Sequence, residues 1–221
     1  MAVITISRQH GSGGHAVTRL LCDRLGYRFF DKDLMAQLGA QLGLAPDQVI
    51  DLPEDRHQVQ SLVERLFANA PTPFGDPGEW ALQAKLEAQQ EVSVQTFQSL
   101  IRAAHEQGKV VVMGRGGQAV LRDAPDVLHV RLVAPIELRI QRVQQNADVS
   151  ADVARERVSE RDRASAEYVK RFYNVDVDDP LLYDLVINTS KLTAAATADL
   201  IIKTLDYLPA SARPKTSGVA V

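Results

Sequence analysis

Residues 3–16 read VITISRQHGSGGHA. A β-branched run leads into a polar turn, a glycine cluster and the first turn of an amphipathic helix. A strand that feeds a glycine-rich turn and then a helix belongs to an α/β sheet, and it creates an anion site on the way. Glycine lacks a Cβ, so backbone N–H groups approach a phosphate closely, and the helix start adds partial positive charge.

The loop departs from the common mononucleotide pattern G-x-x-x-x-G-K-[ST]. With Gly13 as the second glycine, Arg8 stands at the first position, Gly14 at the lysine position and His15 at the hydroxyl position. With Gly14 in that role, the three positions hold Gln9, His15 and Ala16. Neither frame supplies the lysine or the hydroxyl. Gly11-x-Gly13-x-x-Ala16 also fits the dinucleotide fingerprint, with Asp31 about 20 residues on. A dinucleotide turn places its first glycine at the strand end, whereas here Ser7 to His10 intervene. The spacing favours the longer wrap of a mononucleotide phosphate loop over Gly11, Ser12, Gly13, Gly14 and His15. Arg8 and His15 are the cations available to replace the lysine. Arg8 is the stronger choice because guanidinium grips phosphate bidentately and stays charged.

The chain has 221 residues, 45% of them apolar, enough for one α/β domain with an insertion. A net charge of −3 argues against a general nucleic-acid binder. A single cysteine, Cys22 among leucines, excludes an internal disulfide and a multi-cysteine zinc site. No run reaches the roughly 18 apolar residues of a membrane span. A cytoplasmic protein with small-molecule partners is the expectation.

Strands are predicted over Val3–Ser7, Tyr27–Phe30, Lys109–Met113, Val127–Val133 and Leu185–Asn188. Helices are predicted over Gly13–Leu25, Leu34–Leu42, Ala45–Leu52, His57–Ala68, Glu79–Gln107, Pro135–Gln145, Ala194–Leu205 and from Ser150, as N-cap, to about Tyr173; another begins at Gln118–Leu121. The prolines and glycines of Asn69–Gly78 mark a loop. This alternation implies a five-stranded parallel sheet covered by helices on both faces. Residues about 32–107 form a helical insertion, expected beside the strand C-terminal ends on the acceptor side. The core is then 1–31 and 108–208, with a lid near 150–175, and 209–221 is a loose tail.

Three further groups carry chemistry. Asp31-Lys32-Asp33 follows the second strand, at the rim where ligands of open α/β sheets bind. Either carboxylate can position an acceptor or hydrated Mg²⁺, and Lys32 can stand in for the loop lysine; helix capping explains the acids equally well. Gly114-Arg115-Gly116-Gly117 ends a buried strand and offers an arginine fork with cleared space around it. Arg157, Arg161 and Arg163 stand on a highly charged helix, whose ordinary explanation is i,i+4 pairing on a solvated face.

Taken in order, ITISRQHGSGG, YRFFDKDL, VVMGRGG, LHVRLVAPIELRIQRV, RDRASAEYVKRFYNVD and DPLLYDLVINTSKL resemble the cytidylate-kinase-like proteins, a branch of the P-loop nucleoside-monophosphate kinases. The resemblance spans about residues 2–207. It implies a P-loop NTPase-type three-layer fold, ATP as donor, Mg²⁺, and a nucleoside monophosphate or similar small phosphorylated acceptor. It places Gly11–Gly14 at the donor phosphates, Asp31 and Asp33 at an acidic acceptor position, and Arg115 with Gly116 at the acceptor nucleotide. Arg157, Arg161 and Arg163 fall on the arginine-rich lid signature. The aspartate of the family's Gly-Arg-Asp motif is Gly116 here. Two other readings stand beside phosphoryl transfer to a nucleotide: a nucleotide-binding regulator without catalysis, and a kinase with a non-nucleotide acceptor.

Overall fold

The computed structural model describes residues 2–44 and 94–208. Five parallel strands form one sheet in the order β2-β3-β1-β4-β5: β1 Val3–Arg8, β2 Arg28–Phe29, β3 Val110–Met113, β4 Val127–Val133 and β5 Leu185–Asn188. The helices are α1 Gly14–Leu25, α2 Lys32–Gln41, α3 over 94–107, α4 Gly117–Val120, α5 Ile136–Ala147, α6 Ala151–Tyr173 and α7 Ala194–Leu205, with a 3₁₀ turn at Pro180–Leu182.

Side chains alternate across the pleat and divide the core in two. Ile4, Ile6, Val111, Met113, Leu128, Val130 and Leu132 face α1 and α7, where Val17, Leu21, Ala198 and Ile201 complete the layer. Val3, Val110, Val112 and Val127 face the opposite way, onto Leu34, Met35 and Leu38 of α2 and Phe97, Leu100 and Ile101 of α3. Truncating a fully buried leucine such as Leu21 or Leu38 to alanine costs about 2–5 kcal/mol. A smaller cluster, Ile140, Val143, Ala154 and Val158, joins α5 to α6.

Two departures from the sequence reading concern the span 32–107 and the second strand. Its described ends, α2 and α3, are core layers packed on the sheet. Their apolar residues sit at helical spacing on one face, and the second sheet face needs that cover. The helices expected at Ala45–Leu52 and His57–Ala68, the loop at Asn69–Gly78 and the start of the helix from Glu79 lie outside the described residues, as does the tail 209–221. The second strand is shorter than expected, two residues at the sheet edge, because Asp31 already caps α2: its side chain accepts the Leu34 N–H at 2.9 Å.

On the α2–α3 side, polar side chains continue the β1–β4 register toward the strand ends. Thr5 pairs His129 and Ser7 pairs Arg131 along the backbone, and the same pairs bond through side chains at 2.7 Å each. This ladder is buried and leads to the sheet rim where β1, β3, β4 and β5 release their loops.

Candidate functional site

The loop Gln9–Gly13 leaves β1 and is fixed on three sides. Gln9 N–H donates to Leu132 O at 3.0 Å, and the Gln9 side chain accepts the Ala134 N–H at 3.1 Å. The Thr189 hydroxyl, just past β5, donates to Ser12 O at 2.9 Å, and Arg142 holds Thr189 through both its hydroxyl and its carbonyl. His10 N–H donates to Asp162 Oδ1 of α6 at 2.7 Å. Asp162 also takes Arg139, whose guanidinium bonds His10 O and Ala134 O. Arg139 is 6% exposed, so its charge is paired inside the protein.

Within the loop the predicted residues divide. Gly11 packs against the Arg139 backbone: a Cβ there would lie 2.7 Å from Arg139 O. Ser12 is buried. Gly13, at a φ of 90°, is the N-cap of α1, and a Cβ on it would meet nothing within 4 Å. The N–H groups of the first turn of α1, which Gly13 caps, have no partner within the helix. His15 is exposed in that turn.

Gly14 sits against Arg8. A Cβ on Gly14 would lie 3.0 Å from Arg8 Cγ and 3.4 Å from Arg8 Cβ. The arginine stem therefore crosses the space a side chain at 14 would use. Its head reaches the next loop: a Cβ on Gly114 would stand 2.8 Å from Arg8 Nη1. Arg8 thus bridges the glycine loop after β1 and the glycine turn after β3.

That turn is strained. Gly114, Arg115 and Gly116 have φ of 77°, 56° and 71°, a left-handed run with an arginine at its centre. A non-glycine residue there costs about 1–2 kcal/mol. The Arg115 guanidinium lies 4.3 Å from the centroid of the Phe97 ring of α3. Tyr173 OH donates to Arg115 O at 3.3 Å, and the Tyr173 ring fills the space over Gly116, where a Cβ would come within 2.3 Å of it. Tyr168 stands beside Tyr173, ring centroids 6.0 Å apart. Burial pushes the Tyr168 phenol far above its ordinary pKa, with nearby Arg115 acting against that shift.

The other predicted residues spread along the rim. Asp31 caps α2, and Asp33 is exposed in its first turn. Lys32 opens the same helix, and its side chain lies outside those described. Arg157 is half-buried on α6, while Arg161 and Arg163 are exposed. Among the described residues, no group of three or more His, Cys, Asp or Glu is placed to hold a metal ion. None of the described helices is long and apolar enough to cross a membrane.

Sequence reasoning missed Arg139, Asp162, Arg131 and Tyr183. Arg131 is 5% exposed and bonds Ser7 and Asp178, while Tyr183 OH donates to Val177 O at 2.7 Å. A signal existed for Arg131: an arginine inside an otherwise apolar strand needs a buried partner.

A model of the cytidylate kinase-like family covers residues 3–191. A cytidylate kinase of Methanopyrus kandleri is 25% identical over 209 residues, 93% of this chain and 94% of that one. One from Methanothermobacter thermautotrophicus is 30% identical over 195 residues, 88% of this chain and 99% of that one. A match to the Methanocaldococcus jannaschii cytidylate kinase, at 34% identity, spans 59% of that protein. In structure, an uncharacterized protein from Eubacterium ventriosum aligns over 93% of this chain and 99% of its own, with a TM-score of 0.65 and 20% identity, which is likeness of fold. The chain belongs to the cytidylate kinase-like family.

Proposed function

We propose that this protein transfers the γ-phosphoryl group of ATP to a nucleoside monophosphate of the cytidylate type. Membership of a family whose matched relatives are cytidylate kinases supports this, and one geometric observation carries it. Arg8 runs from the donor-side loop at Gly14 to the acceptor-side turn at Gly114. A guanidinium held between two glycine-rich turns suits transfer between two phosphates, because catalysis of that step is chiefly positioning and charge neutralisation.

The β- and γ-phosphates of ATP fit over Gly13 and the α1 N-terminus, where the backbone leaves space and points N–H groups outward. Arg115 takes the acceptor phosphate. An oxygen of that phosphate forms the new bond to the γ-phosphorus as the β–γ bridging bond breaks, and ADP leaves with the bond's electron pair. Arg8 stabilises the charge that develops between them, and Arg157, Arg161 and Arg163 of α6 supply further charge from above. When bound with ATP, Mg²⁺ would supply neutralisation of phosphate charge, and Asp31 or Asp33 would be the rim carboxylates to hold it.

The test is a phosphoryl-transfer assay of the purified chain with ATP and Mg²⁺ against nucleoside monophosphates and non-nucleotide phosphorylated acceptors. Diphosphate formation from a pyrimidine monophosphate is expected. Turnover of only a non-nucleotide acceptor would overturn the acceptor class. ATP binding without turnover of any acceptor would leave a nucleotide-binding regulator.

A further inference from the structure

We propose that Tyr173, on the same helix that anchors the loop after β1, is a positioning residue for Arg115. The inference rests on the acceptor role given to Arg115 above.

The left-handed run at Gly114–Gly116 does not hold itself. Strained backbone persists where its surroundings over-determine it. Here Tyr173 does so twice. Its hydroxyl donates to the carbonyl of Arg115, the strained non-glycine residue, and its ring lies flush on Gly116, where no side chain fits. The Tyr173 ring is itself flanked by Tyr168 of the same helix, centroids 6.0 Å apart. Phe97 of α3 underlies the Arg115 guanidinium. Backbone and side chain of Arg115 are thus held from two helices.

The same α6 grips the donor loop. Asp162 accepts the His10 N–H and pairs with Arg139. Asp162 and Tyr173 are eleven residues apart. At about 3.6 residues per turn that is close to three whole turns, so both stand on one face of the helix, roughly 16 Å apart along it. A displacement of α6 carries the Asp162 and Tyr173 contacts together. The glycine at 116 is the counterpart of this arrangement: a family aspartate there would occupy the space of the tyrosine ring.

The test compares wild type, Tyr173→Phe, Gly116→Ala and the double variant Gly116→Ala/Tyr173→Ala. Each is measured by steady-state kinetics with ATP and acceptor varied in turn. Tyr173→Phe keeps the ring and removes the bond to Arg115 O. It should raise the acceptor KM about 3- to 10-fold, the effect of one uncharged hydrogen bond, with the ATP KM and melting temperature unchanged. Gly116→Ala should impair acceptor use further, and the double variant should recover part of the Gly116→Ala loss. An unchanged acceptor KM in Tyr173→Phe, or an equal rise in both KM values, would overturn the proposal. Hydrogen exchange of the 114–117 amides separates this from the kinase reading. If wild type turns over no acceptor, the kinase reading fails. Faster exchange in Tyr173→Phe then still supports the clamp, and unchanged exchange overturns it.

Discussion

The stem of Arg8 lies where a side chain on Gly14 would begin: a Cβ on Gly14 would be 3.0 Å from Arg8 Cγ. The two residues are exchanged relative to the usual phosphate loop, which has glycine at the first position and lysine at the second. In the proposed reading, Arg8 is the cation that takes the place of the missing lysine. Restoring a side chain at 14 while Arg8 remains forces the arginine aside. Gly14→Ala should weaken ATP binding by about 1–2 kcal/mol through displacement of a charge-assisted contact, read by calorimetric titration.

Arg115 should respond differently from Arg8. Arg115→Ala and Arg115→Lys are both expected to raise the acceptor KM and depress kcat/KM for the acceptor, while ATP affinity stays near wild type. Lysine keeps the charge but loses both the fork and the flat surface stacked on Phe97. Steady-state kinetics with each substrate varied separates the two sites. A change confined to the ATP parameters would move Arg115 to the donor side.

Asp162→Asn should destabilise the fold as well as the donor loop. It leaves the buried Arg139 charge without its carboxylate, while an amide oxygen can still accept the His10 N–H. Asp162 is 29% exposed, so the expected cost is about 2–3 kcal/mol, below the full range for breaking a buried pair. Urea unfolding midpoints with unchanged m-values give the number. A change under about 0.5 kcal/mol would mean that solvent already screens the pair.

His129 makes stability pH-dependent. Burial lowers its pKa from the ordinary 6.5, against the opposing pull of Asp184. The unfolded chain therefore takes up this proton at a higher pH than the folded one. The contribution is fully present above pH 6.5 and is lost as pH falls from there toward the lower folded value. Melting temperature should drop between pH 7 and pH 5.5 more in wild type than in His129→Gln, which keeps a hydrogen-bonding partner for the Thr5 hydroxyl. An equal drop in both would remove His129 from the effect.

Much of this was readable from local pattern. β4 and β5 fall on their predicted bounds, since Val127–Val133 and Leu185–Asn188 are runs that turn residues close off. The Ser150 cap of α6 was equally legible: its hydroxyl accepts the Val153 N–H. What the sequence hid depends on distance along the chain. Arg139 reads as one more charged residue on an amphipathic helix. It becomes a buried charge only because Asp162, 23 residues on, folds over it. The glycine at 116 reads as turn chemistry, yet its neighbour in space is Tyr173, 57 residues later. The ends of 32–107 read as an insertion because their polar outer faces dilute the apolar stripe that covers the sheet.

The exchange of Arg8 and Gly14 is tested most directly by phosphoryl-transfer rates in four proteins: wild type, Arg8→Ala, Gly14→Lys and Arg8→Gly/Gly14→Lys. Wild type should be active, and Arg8→Ala should lose about 10²–10³ in rate, the usual loss for one transition-state charge donor. Gly14→Lys alone should be impaired by collision with the arginine stem. The double variant, with its cation returned to the helix, should recover much of the activity. An Arg8→Ala protein with wild-type turnover and wild-type ATP affinity would contradict the assignment of Arg8 as the cation of this loop.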